Sequence, residues 1–397
     1  MSEGCVRFRT RGDGRSEPGS GTQASPVIPM RMGSAGVGLL VNDHGEAARI
    51  LSDVETYGSA GELLASVFDD DSATTVQEPV FAVNQTDGDE HRQVRRALRK
   101  VIDARVSDVS DRLLLDVEQL TERALALGRF DAVSSIGVPI ADSAMSRLLG
   151  LDDNLVGALR TAVYEGYPVH DLDATLVDWV RERRANPADD LVSDLIAQMP
   201  SLGDRQVAAN TRLLALSGVE VLAALVTNGI LCLAQDPRTQ DLVRTDETLL
   251  SGLVLEVQRY ASPIARGVFR MTKAPSSIGR YAVPAGTLIV IGVDVCNRDE
   301  AAVPEADVFD PARKHEFAQL TFGRGRHSCL GIPVTRLIAT SAFRAFLAGT
   351  TSFGLTGEVS DLRFHDTGVM NGLMELPVWV KRVDSRASEE PRRREQH

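Results

Sequence analysis

Residues 205–237, RQVAANTRLLALSGVEVLAALVTNGILCLAQDP, read as one long helical run that is apolar on most of its faces, with Gly218 inside it and Pro237 at its end. A helix that is hydrophobic nearly all round has no face to offer water and is buried. The surrounding periodicity is mostly helical too. DEHRQVRRALRKVIDARV is strongly amphipathic, and VSDRLLLDVEQLTERALAL continues its pattern. Helices are also predicted for HGEAARILSD (44–53), across 131–198 with an irregular break at EGYPVHDLD, for ETLLSGLVLEVQRYAS stopping before Pro263, and for IPVTRLIATSAFRAFLAGT. The period turns toward strands in VIPMRMG, GVGLLVND, GVFRMT and SSIGRYAVPAGTLIVIGV, where VPAGT is a turn signal, and in the last stretch ending ELPVWVKRV. Residues 54–86 show little periodicity and read as a long irregular loop. No internal repeat and no domain boundary stands out. The expectation is a mainly α fold with minor β over residues 27–384, a disordered Gly/Ser-rich tail at 1–26 and a charged tail at 385–397.

Composition excludes several classes. With 43% hydrophobic and 25% charged residues over 397 positions, a sizeable core forms without staples. A net charge of −12 argues against wholesale binding of nucleic acid. No apolar run approaches the roughly 18 residues that span a bilayer, and the N-terminus lacks the apolar stretch of a secretion signal, so a cytoplasmic location is expected. The four cysteines, Cys5, Cys232, Cys296 and Cys329, are far apart with no C-x-x-C spacing, so neither a zinc site nor disulfides are expected.

One cysteine has an unusual setting, FGRGRHSCLG (322–331). Gly323, Gly325 and Gly331 let the backbone turn sharply and let a flat group approach. Cys329 stands just before a helical pattern, whose positive end favours a thiolate, and Arg324, Arg326 and His327 add positive charge. Such a sulfur is a nucleophile or a metal ligand; the plainer reading is a buried inert thiol. The spacing F-G-x-G-x-H-x-C-x-G resembles that of the haem-thiolate monooxygenases, the cytochrome P-450 superfamily, and the resemblance covers nearly everything after about Ala35. It implies a single large triangular fold with haem b between the long central helix and the cysteine loop. Cys329 is then the axial thiolate on iron, Phe322 and Gly331 sit against the cofactor, and nearby backbone N–H groups tune the sulfur.

Other family marks follow in order. EVQR gives Glu256 and Arg259, and FDPAR gives Arg313; the resemblance implies a buried ion network behind the haem, against the plainer reading of a surface pair worth a few tenths of a kcal/mol. EHRQVRR gives His91 and Arg95, four apart on one helical face. With Arg270 and His327 they match the family's partners for the two haem carboxylates. In the central helix the family pattern A/G-G-x-D/E-T is read here as Ser217, Gly218, Val219, Glu220, Val221. Val221 replaces the threonine whose hydroxyl helps deliver protons, and valine can neither donate nor accept. The substrate or a water it orders can supply the hydroxyl, Ser217 or Glu220 can open another proton route, or the reaction can proceed without oxygen insertion. Two further departures are a weak or absent early helix and CLGIPVTRL for C-L-G-x-x-L-A-R, which keeps Arg336.

Substrate contacts implied by the resemblance are Phe81, Val83, Leu214, Ser217, Val221, Ile264, Ala265, Arg266, Val268, Met370 and Asn371, with the segment near Tyr164 to His170. Arg266 can pair with a carboxylate or phosphate of a substrate; the plainer reading is an exposed arginine. The chain has no flavin or iron–sulfur motif, so electrons are expected from ferredoxin and ferredoxin reductase, docking on a basic patch of Arg324, Arg326 and Arg336. The resemblance implies an oxygenase acting on a small molecule or short peptide, free or held on a carrier protein, in a tailoring step of secondary metabolism. Oxidative coupling or cross-linking, peroxide-driven oxidation and a non-catalytic haem-binding accessory are the alternatives.

Overall fold

The computed structural model describes residues 26–31, 37–61, 80–165, 169–314, 319–365 and 369–383. Apart from Pro26 the expected tails lie outside these residues, as does the 62–79 part of the expected loop. The helices are α1 (His44–Ser52), α2 (Gly88–Leu125), α3 (Val138–Leu149), α4 (Asp153–Glu165), α5 (Val169–Ala185), α6 (Leu191–Gln198), α7 (Asp204–Gln235), α8 (Pro237–Thr245), α9 (Leu250–Tyr260), α10 (Val293–Cys296) and α11 (Ile332–Ala348).

The long apolar run is α7, packed against α3, α5 and α11. Leu222, Leu225, Val226, Ile230, Leu231 and Leu233 are all buried, and each such side chain contributes about 1.5–3 kcal/mol relative to exposure. Over its most apolar 18 residues α7 reaches a mean hydropathy of 1.8, enough by composition to cross a membrane, which the sequence reading did not anticipate. Burial of 72% of that window inside the protein accounts for it as the core helix. The two predicted amphipathic stretches fuse into α2, whose buried positions include Val94, Leu98, Val101 and Ile102.

Caps set several helix starts. Asp43 accepts from Glu46 N at 2.7 Å before α1, and Asp190 accepts from Ser193 N at 2.7 Å before α6. The irregular break expected at EGYPVHDLD is shorter than predicted: α5 already begins at Val169, and residues 166–168 lie outside the described ones. A proline just ahead of a first turn starts a helix rather than breaking one, and the sequence has Pro168 there.

Five strands form a sheet in the order β1 (Val27–Arg31), β2 (Val37–Val41), β8 (Leu288–Ile291), β5 (Val268–Thr272), β3 (Tyr57–Gly58). Only the β2–β8 pair is parallel, in register at Val41 and Ile291. The remaining strands are the hairpin β6 (Ser276–Ile278) and β7 (Tyr281–Val283), and the sheet β4 (Arg129–Asp131), β10 (Pro377–Arg382), β9 (Thr350–Leu355).

Candidate functional site

The cysteine loop turns on two glycines. Gly323 and Gly325 have φ of 64° and 74°, and a Cβ on Gly325 would sit 2.6 Å from the Leu51 carbonyl oxygen. The loop closes when Cys329 N donates to Phe322 O at 2.8 Å, and Gly331 N donates to Cys329 Sγ at 3.2 Å just before α11 begins. Cys232 and Cys296 are buried, and burial pushes the Cys296 thiol far up, so it is inert; Cys329 is exposed. The protein around it nevertheless desolvates the sulfur and raises its pKa, against the pull of Gly331 N–H, Arg95 and Ile332 N–H. The expected pull of the helix start is present in the Gly331 and Ile332 N–H groups, but burial outweighs it, and the cation that acts on the sulfur is Arg95 of α2 rather than the loop's own arginines. Arg324 donates to Ser52 Oγ at 3.0 Å, and half-buried Arg326 lies 3.8 Å from Asp87. Of the expected basic patch, Arg324 and Arg336 are the exposed members.

Beside this loop the first turns of α2, the strand β5 and the loop itself bring polar groups together. Arg95 donates to Ser328 Oγ at 3.0 Å. Among the described residues, buried Arg270 donates only to the carbonyl of its neighbour Phe269, at 2.7 Å, and burial lowers its pKa to about 10. The rings of His91 and His327 lie 4.1 Å apart. Among the described residues, both nitrogens of His91 and Nδ1 of His327 are buried without a partner, and burial lowers the pKa of His91 to about 4. Leaving such groups unsatisfied costs about 1–3 kcal/mol each. The cluster fits a ligand that brings carboxylates.

The middle of α7 is exposed at Ser217 and partly open at Leu213, Leu214, Leu216, Gly218, Glu220 and Val221, of which Leu214, Ser217 and Val221 are spaced to share one face. Gly218 marks a close approach: a Cβ there would lie 2.0 Å from Met145 Sδ of α3. Glu220 has a buried Oε1 with no partner among the described residues, and burial pushes its carboxyl up to about 7.

Among the expected substrate contacts, Phe81, Ile264, Arg266, Val268 and Met370 keep partly open surface, whereas Val83 and Ala265 are buried. Ile264 bridges Met370, and Ala265 N donates to Val369 O at 2.8 Å. The Asn371 amide donates to Ser262 O at 3.1 Å, which ties the late turn to the loop after α9. The side chains of 164–170 lie outside the described residues. Arg266 is half-buried, so the plain reading of an exposed arginine does not hold. Its charge acts on buried Asp294, whose pKa burial raises to about 6. Asp294 and Asp87 are the two polar groups that motif reasoning did not pick out, since neither belongs to a spacing pattern. A separate cavity of about 150 Å³, lined by Arg160, Thr227, His365 and others, includes no residue of the cysteine loop.

Behind the loop, Glu256 and Arg259 are fully buried and joined by two bonds, at 2.8 and 2.7 Å, while Arg313 Nε reaches Glu256 Oε1 at 3.2 Å. Arg259 and Arg313 also donate to the carbonyls of Ala306 and Pro304. Buried pairs of this kind hold only when their remaining donors are satisfied.

A mainly helical protein with an open cysteine at a helix start, facing a cluster of partnerless donors, defines the class that seats a carboxylate-bearing cofactor against a thiolate. A family model described as Cytochrome P450 matches residues 167–348. The erythromycin C-12 hydroxylase of Saccharopolyspora erythraea is 30% identical over 330 residues, 75% of this chain and 79% of that protein. The cyclomarin C epoxidase CymV of Salinispora arenicola is 31% identical over 314 residues, 72% of this chain and 78% of that protein. The structure of a mutant of P450 EryK in complex with erythromycin B superposes with a TM-score of 0.79 at 27% identity, covering 89% of this chain and 93% of that one. This chain belongs to the cytochrome P450 family.

Its cofactor is therefore haem with a cysteine thiolate on iron. The residues present fit that group. Cys329 is the exposed thiol among the described cysteines, and the unpartnered nitrogens of His91 and His327, beside Arg95 and Arg270, offer polar groups of the kind that carboxylates pair with. The enzyme is a P450 monooxygenase or oxidase.

Proposed function

We propose that this enzyme oxidises a C–H bond of a small organic substrate, by hydroxylation or a similar oxygen insertion, in a tailoring step of secondary metabolism. The observation that carries the reading is the partly open middle of α7, where Leu214, Ser217 and Val221 are among the positions that break the burial of the core helix beside Glu220. Relatives named for hydroxylation of erythromycin and epoxidation of cyclomarin C support the class of chemistry and the tailoring role. When bound, the haem activates dioxygen with electrons delivered one at a time, so that one oxygen atom enters the substrate and the other leaves as water.

The chain's own residues do the rest. Cys329 holds the iron, and His91, Arg95, Arg270 and His327 hold the carboxylates. Leu214, Val221, Ile264, Val268 and Met370 give the substrate an apolar wall. Glu220, with a pKa of about 7, exchanges a proton at its Oε1 near neutral pH, as a general acid must. Val221 passes no proton, so the route to Glu220 runs through the Ser217 hydroxyl or through water. Ferredoxin and its reductase supply electrons, docking over exposed Arg324 and Arg336, and the substrate is free or carrier-bound.

Val221 favours one second reading, oxidative coupling without oxygen insertion, because such chemistry does not require the missing hydroxyl. Titrating the ferric protein with panels of terpenoids, macrolides, amino acids and short peptides, and watching the Soret band for a shift to high spin, identifies the substrate class. The product mass then decides: gain of one oxygen supports the proposal, and loss of two hydrogens supports coupling.

A further inference from the structure

We propose that Asp87 is a positioning residue for the haem: it grips His327 by Nε2 and so aims the free Nδ1 at one of the cofactor's carboxylates. This rests on the haem-binding reading of the site and goes beyond it, because the role given to Asp87 is exerted through His327.

The first observation is a diverted cap. Asp87 occupies the N-cap position of α2, where aspartate is among the most favoured residues, yet its side chain makes no capping bond. Gly88 follows with φ of 73°, a left-handed turn that takes the chain into the helix from another direction. The carboxylate accepts instead from Ser59 N, just past β3, and from His327 Nε2 at 3.1 Å, with Arg326 Nη1 at 3.8 Å. The side chain thus forgoes a local bond to join two distant segments, one of them the cysteine loop.

The second observation is what this grip leaves unmade. With Nε2 held, Nδ1 of His327 is buried without a partner, and both nitrogens of His91 beside it are orphaned as well. An imidazole anchored at one nitrogen has its other nitrogen fixed in direction, and with Nε2–H given to Asp87 the ring donates from Nδ1 only as the imidazolium, the form that a second carboxylate beside it would stabilise. The third is charge. Arg95, Arg270 and Arg326 all act on this cluster, against the single carboxylate of Asp87. The cluster is thus rich in cations, which suits a cofactor that brings carboxylates.

The test is the rate of haem loss from the ferric holoprotein to excess apomyoglobin. Asp87→Ala and His327→Leu should each speed loss about tenfold, the size expected for a hydrogen bond to a charged group. Asp87→Ser separates positioning from folding, because serine caps a helix well but is too short to reach His327. It should lose haem as fast as Asp87→Ala, and Asp87→Ser combined with His327→Leu should exceed the faster single variant by no more than about threefold, since coupled residues are not additive. Slow loss restored by Asp87→Ser would make Asp87 a helix cap and overturn the proposal. So would effects of Asp87→Ser and His327→Leu that multiply to about a hundredfold, the additive result for independent sites.

Discussion

Glu220 makes a measurable claim on stability as well as on chemistry. Its carboxyl is pushed up to about 7 from an ordinary 4.5, with burial the cause. An acid whose folded pKa is raised is stable as the neutral form and resists ionisation. Its contribution is fully present below the unfolded pKa of 4.5 and is lost as pH rises through about 7. A shift of this size corresponds to about 3 kcal/mol at order-of-magnitude precision. Glu220→Gln has nearly the same shape and cannot ionise. Guanidinium unfolding of both proteins at a series of pH values between about 5 and 8 gives a difference curve in which other titrating groups cancel. The variant should gain on the wild type as pH rises, with the gain levelling off above pH 7. A flat difference curve would refute the reasoning and place the carboxyl in contact with water or a cation.

Truncation of Glu256 to alanine leaves the fully buried Arg259 uncompensated and should cost about 3–5 kcal/mol, read as a lower denaturant midpoint and poor haem incorporation. Val221→Thr restores a hydroxyl one residue after Glu220; the fraction of electrons recovered in oxygenated product should rise several-fold, on the order of the effect of one positioned proton donor. No change in that fraction would mean that Ser217, water or the substrate already fills the role.

The motifs were legible because they are local. F-G-x-G-x-H-x-C-x-G specifies a turn, a thiol and a helix start within ten positions, and the structure closes that turn with Cys329 N on Phe322 O. The central helix was legible from its apolarity. What sequence could not give was long-range pairing. Asp87 and His327 are 240 residues apart, and nothing in a D-G-D-E-H stretch announces that the aspartate abandons its own helix. The same blindness affected the loop arginines. Spacing placed Arg326 on a surface patch, whereas the fold turns it toward Asp87, and the effect on the thiol comes from Arg95 on another helix. Arg266 was open to either reading until the fold set it in electrostatic reach of a buried aspartate.

The central claim is that Cys329 carries the haem iron. The most direct measurement is the carbon monoxide difference spectrum of the reduced, haem-loaded protein beside that of Cys329→Ala. The account predicts the red-shifted thiolate-type Soret band in the wild type and its loss in the variant. A wild-type band of the histidine-ligated kind, or a thiolate band that survives Cys329→Ala, would contradict it.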